Sequence, residues 1–292
     1  MHNLALISFL SLCLLLLAGC GEKPTPDSNQ GAQDEQKNAR QKDHEQALTD
    51  QSAALTQTTP PEVTSKDNAC AELLLSPDRP AEDRARDEGR KPAEVLAFLG
   101  LRPNMTTIDL IAAGGYYTEV LSRCTGPDGK VYAQNPEMVL KFRDGANDKA
   151  MTVRLEGGRL ANVVRWDSEF GDLGIEPNSV DLAITALNFH DIYNRGGSEA
   201  AQAVLHSVYQ ILKPGGVLGI IDHVGKAGAD NKALHRIEPE IVRQEALKAG
   251  FLIDGESDLL ADSEDAHDKF VFDEDVRGKT DRFLFRLKKP IS

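Results

Sequence analysis

The sequence predicts an α/β protein, a mostly parallel sheet covered by helices on both faces, and three observations carry that prediction. From Ala69 onward, short apolar strand-like runs alternate with helical segments, an order that sets parallel strands side by side with helices as crossovers. Ile108 to Leu121, IDLIAAGGYYTEVL, reads as a strand entering a tight small-residue turn and then a helix. The last segment, DRFLFRLKK, alternates apolar and polar residues, the pattern of a strand with one solvated face.

In chain order, a helix starts near Pro92, a good first-turn residue, and stops at Gly100. TTIDLIA follows as a strand and YYTEVLSRC as an amphipathic helix. The turn GPDG, Gly126 to Gly129, leads into a second strand, GKVYAQN. Further strands are LANVVRWD, SVDLAITALNF, GGVLGIID, GFLIDGES and DRFLFRLKK, and EMVLKFRD, EAAQAVLHSVYQIL and EPEIVRQEALKAG are helical. VDLAITALNF is apolar enough for a central strand. DRFLFRLKK follows FLIDGESDLL by a short connection, which makes it the candidate antiparallel strand. With 5% aromatic residues, the core must rest on Leu, Val, Ile and Ala.

Upstream of this domain, expected over residues 69–292, lie two segments of another kind. Leu4 to Ala18 is apolar, too short for a comfortable membrane span and right for a secretory signal. It ends in LAGC, which resembles the lipobox of bacterial lipoproteins. That resemblance makes residues 1–20 a signal peptide and Cys20 the lipidated residue, although the leading MHN lacks a base. Residues 21–68 are rich in Gln, Asp, Lys, Thr and Pro and cannot bury enough apolar surface to fold. They read as a flexible tether with a span of roughly 35–40 Å. The expected location is therefore the periplasmic face of a bacterial membrane, with the outer membrane favoured because Gly21 gives no acidic retention signal.

Formal net charge is −13, of which nine acids and five bases in residues 21–68 contribute −4. No basic run stands out, so nucleic acid is excluded as a partner on electrostatic grounds. Cys13 leaves with the signal. Cys70 and Cys124 remain in an oxidising compartment. Two buried thiols is the favoured reading there and a disulfide the alternative, since sequence does not show proximity.

LRPNMTTIDLIAAGGYYTEVLS, GKVYAQNP, VVRWD, VDLAITALNFHDI and LKPGGVLGIIDH, in this order and spacing, resemble class I S-adenosylmethionine-dependent methyltransferases. The resemblance covers about Ala81 to Pro290. Within that family, FLGLRP, LHRIEP and GKTDRF are similar to exported, lipoprotein-like proteins described as predicted methyltransferases. The resemblance implies a doubly wound, mostly parallel seven-stranded sheet (a Rossmann-like methyltransferase fold) with the last strand antiparallel. It also implies S-adenosylmethionine as cofactor, held at the carboxyl ends of the strands.

The site residues carry over position by position. Asp109 matches the acid that orders the loop and the cofactor's amino group. The family's three loop glycines fall on Ile111, Ala113 and Gly115, with Gly114 added. Ala113 adds one methyl that a shifted backbone can absorb. Ile111 fits if its turn avoids the left-handed region that glycine favours. Tyr116 and Tyr117 stack near the pocket or pack. Asn135, twenty residues beyond Gly115, stands where an acid would accept two ribose hydroxyl bonds, and it brings no charge. Asp167 matches the acid at the adenine edge. Asn188 opens NFHD at the end of the fourth strand, beside the methyl-transfer point, where His190 or Asp191 could act as the base that in-line transfer needs. His223, after Asp222, could share that cleft, and His235 and Arg236 lie in the next segment. Three histidines near one rim suggest a metal, but no tight His-x-x-His spacing supports one and none is expected. Neither G-x-S-x-G nor a Walker loop occurs, so hydrolase and NTPase chemistry lacks support.

S-adenosylmethionine is made in the cytoplasm, and the address is outside it. Two readings therefore stand. The first is a lipid-tethered methyltransferase of a small-molecule substrate. The second is a non-catalytic or repurposed small-ligand-binding protein on the same scaffold.

Overall fold

The structure, a computed structural model, describes residues 65–291. The signal segment, Cys20 and the tether as far as residue 64 lie outside the described residues. Helix α1 (Ser65–Leu74) begins four residues before the expected domain start. Helices α2 (Ala81–Arg90) and α3 (Pro92–Leu99) follow, then β1 (Thr106–Leu110), α4 (Tyr116–Thr125), β2 (Lys130–Asn135), α5 (Glu137–Leu155), β3 (Val163–Asp167) and β4 (Val180–Ala186). The chain continues through α6 (Phe189–Ile211), β5 (Leu212–His223), the one-turn α7 (Asn231–Leu234), α8 (Pro239–Lys248), β6 (Leu252–Ser257) and β7 (Arg282–Lys288). Among the described residues no helix is long and apolar enough to cross a membrane.

The seven strands form one sheet in the order β3-β2-β1-β4-β5-β7-β6. All neighbours from β3 to β5 pair in parallel, and β7 runs antiparallel to both β5 and β6. The expected fold class is met. The order reverses between β1 and β4, so the carboxyl ends of those strands open the crevice in which such sheets bind ligands. One face of the sheet packs Val204, Leu205, Val208 and Ile211 of α6 and Val242 and Ala246 of α8. The other packs Val95, Leu96 and Leu99 of α3 and Val120 and Leu121 of α4.

Three features depart from the expectations. Cys70 and Cys124 form a disulfide that joins α1 to α4, with Cα atoms 4.9 Å apart, so the reading of two free buried thiols is wrong. The helix that brings Cys70 to Cys124 was not anticipated. Nor was α2, whose sequence AEDRARDEGR has no apolar stripe. It is held by charge instead: Asp83 is buried and meets Arg154 at 2.8 Å. Finally, the connection from β6 to β7 is not short. It spans residues 258–281, is pinned by the buried pair of Arg236 and Asp265 at 2.8 Å, and carries Phe270 and Phe272.

Candidate functional site

The turn after β1 has the backbone of a glycine loop without its glycines. Ile111 and Ala113 both have positive φ, at 54° and 49°, and Gly115 has φ 85°. A β-branched residue in the left-handed region is uncommon, and the condition under which Ile111 was expected to fit is not met. Side chains of β2 hold the turn there. Gln134 accepts a hydrogen bond from the Ile111 N–H at 3.1 Å and donates to the Ser168 carbonyl at 2.6 Å. Asn135 accepts from the Ala113 N–H at 2.8 Å and donates to the Ala113 carbonyl at 3.3 Å. Asn135 is fully buried, and its amide is spent on the loop. Its expected role as ribose ligand is corrected: it shapes the turn.

The glycines serve packing. A Cβ on Gly115 would stand 2.8 Å from Arg154 and 3.0 Å from Met151, and one on Gly114 would stand 3.1 Å from Ala150. These two positions let α5 approach the start of α4, which is a different reason for glycine than ligand contact. Arg154 completes the join by donating to the Gly114 carbonyl at 2.6 Å. Tyr116 is also committed. It is buried, donates to Asp87 at 2.6 Å and lies under Arg86 and Arg90 at 4.8 and 4.4 Å from its ring centre. Of the two expectations for it, stacking near the pocket or packing, the ring packs, against α2. Asp109 accepts from the Thr118 hydroxyl at 2.7 Å, tying β1 to the first turns of α4. Burial pushes its carboxyl up to about 7, against the pull of the Thr118 bonds and of Arg154 and Arg90. Asp167 stands half-exposed at the end of β3, paired with Arg165 at 2.8 Å. A cavity of about 470 Å³ between α5 and β3 reaches Asp167 but neither the loop nor His190.

The end of β4 is built differently. Asn188 precedes α6 and donates to the carbonyls of Ala186 at 2.8 Å and Ile111 at 3.4 Å, joining the two strand ends. His190 is buried in the first turn of α6. Its backbone N–H donates to Asp222 at 2.8 Å, and its Nδ1 sits 2.7 Å from the other Asp222 oxygen. Asp222, fully buried at the end of β5, also accepts from the His223 N–H at 2.8 Å. Burial disfavours the His190 imidazolium, but the carboxylates of Asp222 and Asp191 outweigh it and raise the ring's pKa. With Nδ1 committed, Nε2 faces Asp191 at 3.7 Å.

His223 lies beside His190 with ring centres 5.8 Å apart, and its Nδ1 pairs with the Thr280 hydroxyl at 2.7 Å. Burial takes its pKa down to about 3, so it stays neutral. Asp191 and His235 complete the rim, 3.5 Å apart, with the His235 ring against Phe270 and Phe272. His235 was expected only as one of three histidines near the rim, with no assigned role, and the two phenylalanines were not among the expected site residues. They arrive from the segments after β5 and β6, which have no strand or helix pattern to place them.

No family model matches the chain. Three curated relatives match parts of it. An arsenite methyltransferase of Halobacterium salinarum is 29% identical over 134 residues, which is 45% of this chain and 30% of that protein. A ribosomal RNA large subunit methyltransferase E of Xylella fastidiosa is 31% identical over 121 residues, which is 37% of this chain and 57% of that protein. The chain thus spans about half, or less, of the length of these relatives. Among solved structures, a SAM-dependent methyltransferase from Aquifex aeolicus superposes with TM-score 0.53 at 22% identity, covering 76% of this chain and 97% of that one. The [4+2]-cyclase SpnF superposes with TM-score 0.52 at 15% identity, covering 81% and 100%. The fold is that of class I S-adenosylmethionine-dependent methyltransferases.

Proposed function

We propose that the protein is an S-adenosylmethionine-dependent methyltransferase acting on a small molecule, exported and anchored by a lipid on Cys20. The observation that carries the reading is the left-handed backbone at Ile111 and Ala113. Each non-glycine residue there costs on the order of 1–2 kcal/mol, and two buried side chains of β2 hold the turn in place against that cost. Such retained strain points to function. The loop keeps the peptide geometry of a cofactor turn, and the Gly114 N–H has no partner among the described residues. Asp109 holds the loop to α4, and Asp167, half-exposed and paired with Arg165, has a second carboxylate oxygen to meet a purine edge. These residues fit an adenosyl ligand whose ribose is not gripped by Asn135.

When bound, the cofactor supplies an electrophilic methyl on sulfur. The chain's part is to align an acceptor in line with it. His190 and Asp191 stand at the end of β4, next to the loop through Asn188, and Asp222 fixes the His190 ring. The acceptor heteroatom therefore sits at the rim of His190, Asp191 and His235, with Phe270 and Phe272 as an apolar wall. His223, buried and neutral, packs behind the rim as a positioning residue. The net charge of −13 argues against the RNA that the Xylella relative is named for. The Cys70–Cys124 disulfide supports an oxidising compartment, in keeping with the signal-like segment and the lipobox.

The second reading, a repurposed ligand-binding scaffold, is favoured by one observation: Asn135 is withdrawn from the ribose position. A cyclase on the same fold makes it physically reasonable. Calorimetric titration of the purified protein separates the two. S-adenosylmethionine should bind with a saturable heat, and no heat at millimolar ligand would leave only the second.

A further inference from the structure

We propose that His190, Asp191 and His235 form a site for a divalent transition-metal ion, with zinc the ion their chemistry suits best. Each offers one ligand atom, and the three atoms lie within 4.8 Å of one another. His190 Nε2 is 3.7 Å from one Asp191 oxygen, and His235 Nδ1 is 3.5 Å from the other. In a tetrahedral zinc site with bonds of about 2.0–2.2 Å, neighbouring ligand atoms stand roughly 3.3–3.6 Å apart. A small inward movement of Asp191 and His235, both half-exposed, closes the difference.

Three further features belong to a metal site rather than to a chance meeting. Asp222 binds His190 Nδ1 at 2.7 Å, which fixes the tautomer and turns the Nε2 lone pair toward Asp191. This carboxylate–histidine arrangement is the usual outer support of a metal-bound imidazole. His235 is held in the left-handed region, with φ 55°, at the end of α7. The third ligand position is thus kept at a conformational cost. Phe270 and Phe272, 5.3 and 5.9 Å from the His235 ring, put apolar surface on that side. The amino-terminal end of α6 opposes a cation by about 0.3–1 kcal/mol, but Asp191 and Asp222 bring two carboxylates to the same place.

Three protein ligands leave a fourth position open, as catalytic zinc sites do. On the methyl-transfer reading, that position would take the acceptor's oxygen, nitrogen or sulfur and favour its deprotonated form. This use rests on the proposed function, whereas metal binding does not.

The test uses the purified protein stripped by a chelator. Zinc is titrated against a chromophoric competitor, and cobalt serves as a spectroscopic probe of coordination number. One equivalent per chain is expected, with a low-coordinate cobalt spectrum. His235→Asn, which tolerates the left-handed backbone, and Asp191→Asn should each weaken binding by at least about tenfold, with near-ultraviolet circular dichroism unchanged. No competed equivalent, or full affinity retained in both folded variants, overturns the site. Zinc bound by protein that gives no heat with S-adenosylmethionine supports the site while removing the methyl-transfer reading.

Discussion

The two rims of the crevice use their polar groups in opposite ways. At the β1 and β2 ends, Gln134, Asn135, Asp109 and Tyr116 all bond to other parts of the protein, and the loop is held rigidly in a conformation its side chains disfavour. At the β4 and β5 ends, only the inner layer is committed. Asp222 holds His190, while Nε2 of His190, Asp191 and His235 face one another without a direct short bond. A rim whose side chains are satisfied can offer a ligand mainly backbone and shape. A rim with uncommitted lone pairs can do chemistry or hold an ion. The difference also locates specificity: the first rim suits a ligand common to the fold, and the second suits whatever is particular to this protein.

Breaking the comparison at its strongest point means removing Asp222. Asp222→Ala leaves the His190 ring and two backbone N–H groups buried without their acceptor. It should cost about 3–5 kcal/mol in denaturant unfolding, and a cost below 1 kcal/mol would show that the acceptor rim is not organised around this carboxylate. Away from both rims, at the far end of α4, a large support is covalent. The disulfide spans 54 residues, so reduction should cost about 2–4 kcal/mol, read as a lower unfolding temperature under reductant that a Cys70→Ala, Cys124→Ala protein reproduces.

The pH dependence sharpens the same contrast. Asp109 has its carboxyl raised to about 7 from 3.8. The folded state binds this proton more tightly than the unfolded state does. Its contribution to stability is thus fully present below the unfolded value and is lost as pH rises through 7. Between pH 5 and pH 8 the loss is roughly 2–3 kcal/mol. Asp109→Asn, which keeps an acceptor for Thr118, should flatten that slope relative to wild type, and parallel slopes for the two would contradict the assignment. Asn135→Ala removes both bonds to the Ala113 peptide and should cost about 1–3 kcal/mol. Smallest is Ala113→Gly, which relieves the left-handed strain at an entropic cost. A net gain of up to about 1 kcal/mol is expected, seen as a rise in Tm of a few degrees, while Ala113→Val should lower it.

Most of the sheet was legible because buried parallel strands such as VDLAITALNF carry continuous apolar runs, and because turn residues punctuate them. Two helices were not. Side chains from residue 69 onward in α1 include Cys70, whose partner lies 54 residues away, and α2 gains its stability from Asp83, Asp87 and their arginines rather than from an apolar face. Strand ends were legible: Asp109, Asp167, Asn188 and His223 all lie at or near the end of a strand. Their roles were harder to read. Whether Asn135 faces a ribose or a peptide is decided by the turn of one amide, and whether Gly115 admits a ligand or Arg154 is decided by a helix from elsewhere in the chain. His235 joins His190 across 45 residues of sequence, so the order of strands could set it near the rim but no local spacing announced its meeting with Asp191.

The claim on which everything else depends is that the turn from Ile111 to Gly115 receives an adenosyl group and points its sulfur at the His190 rim. A crystal structure of the protein with S-adenosylhomocysteine tests it most directly. The account predicts the ligand across the ends of β1 and β2, with its carboxylate at the Gly114 N–H, its adenine edge at Asp167 and its sulfur directed to His190 and Asp191. Finding the Ile111 side chain in that space, with the ligand absent at millimolar concentration or bound elsewhere, would contradict it.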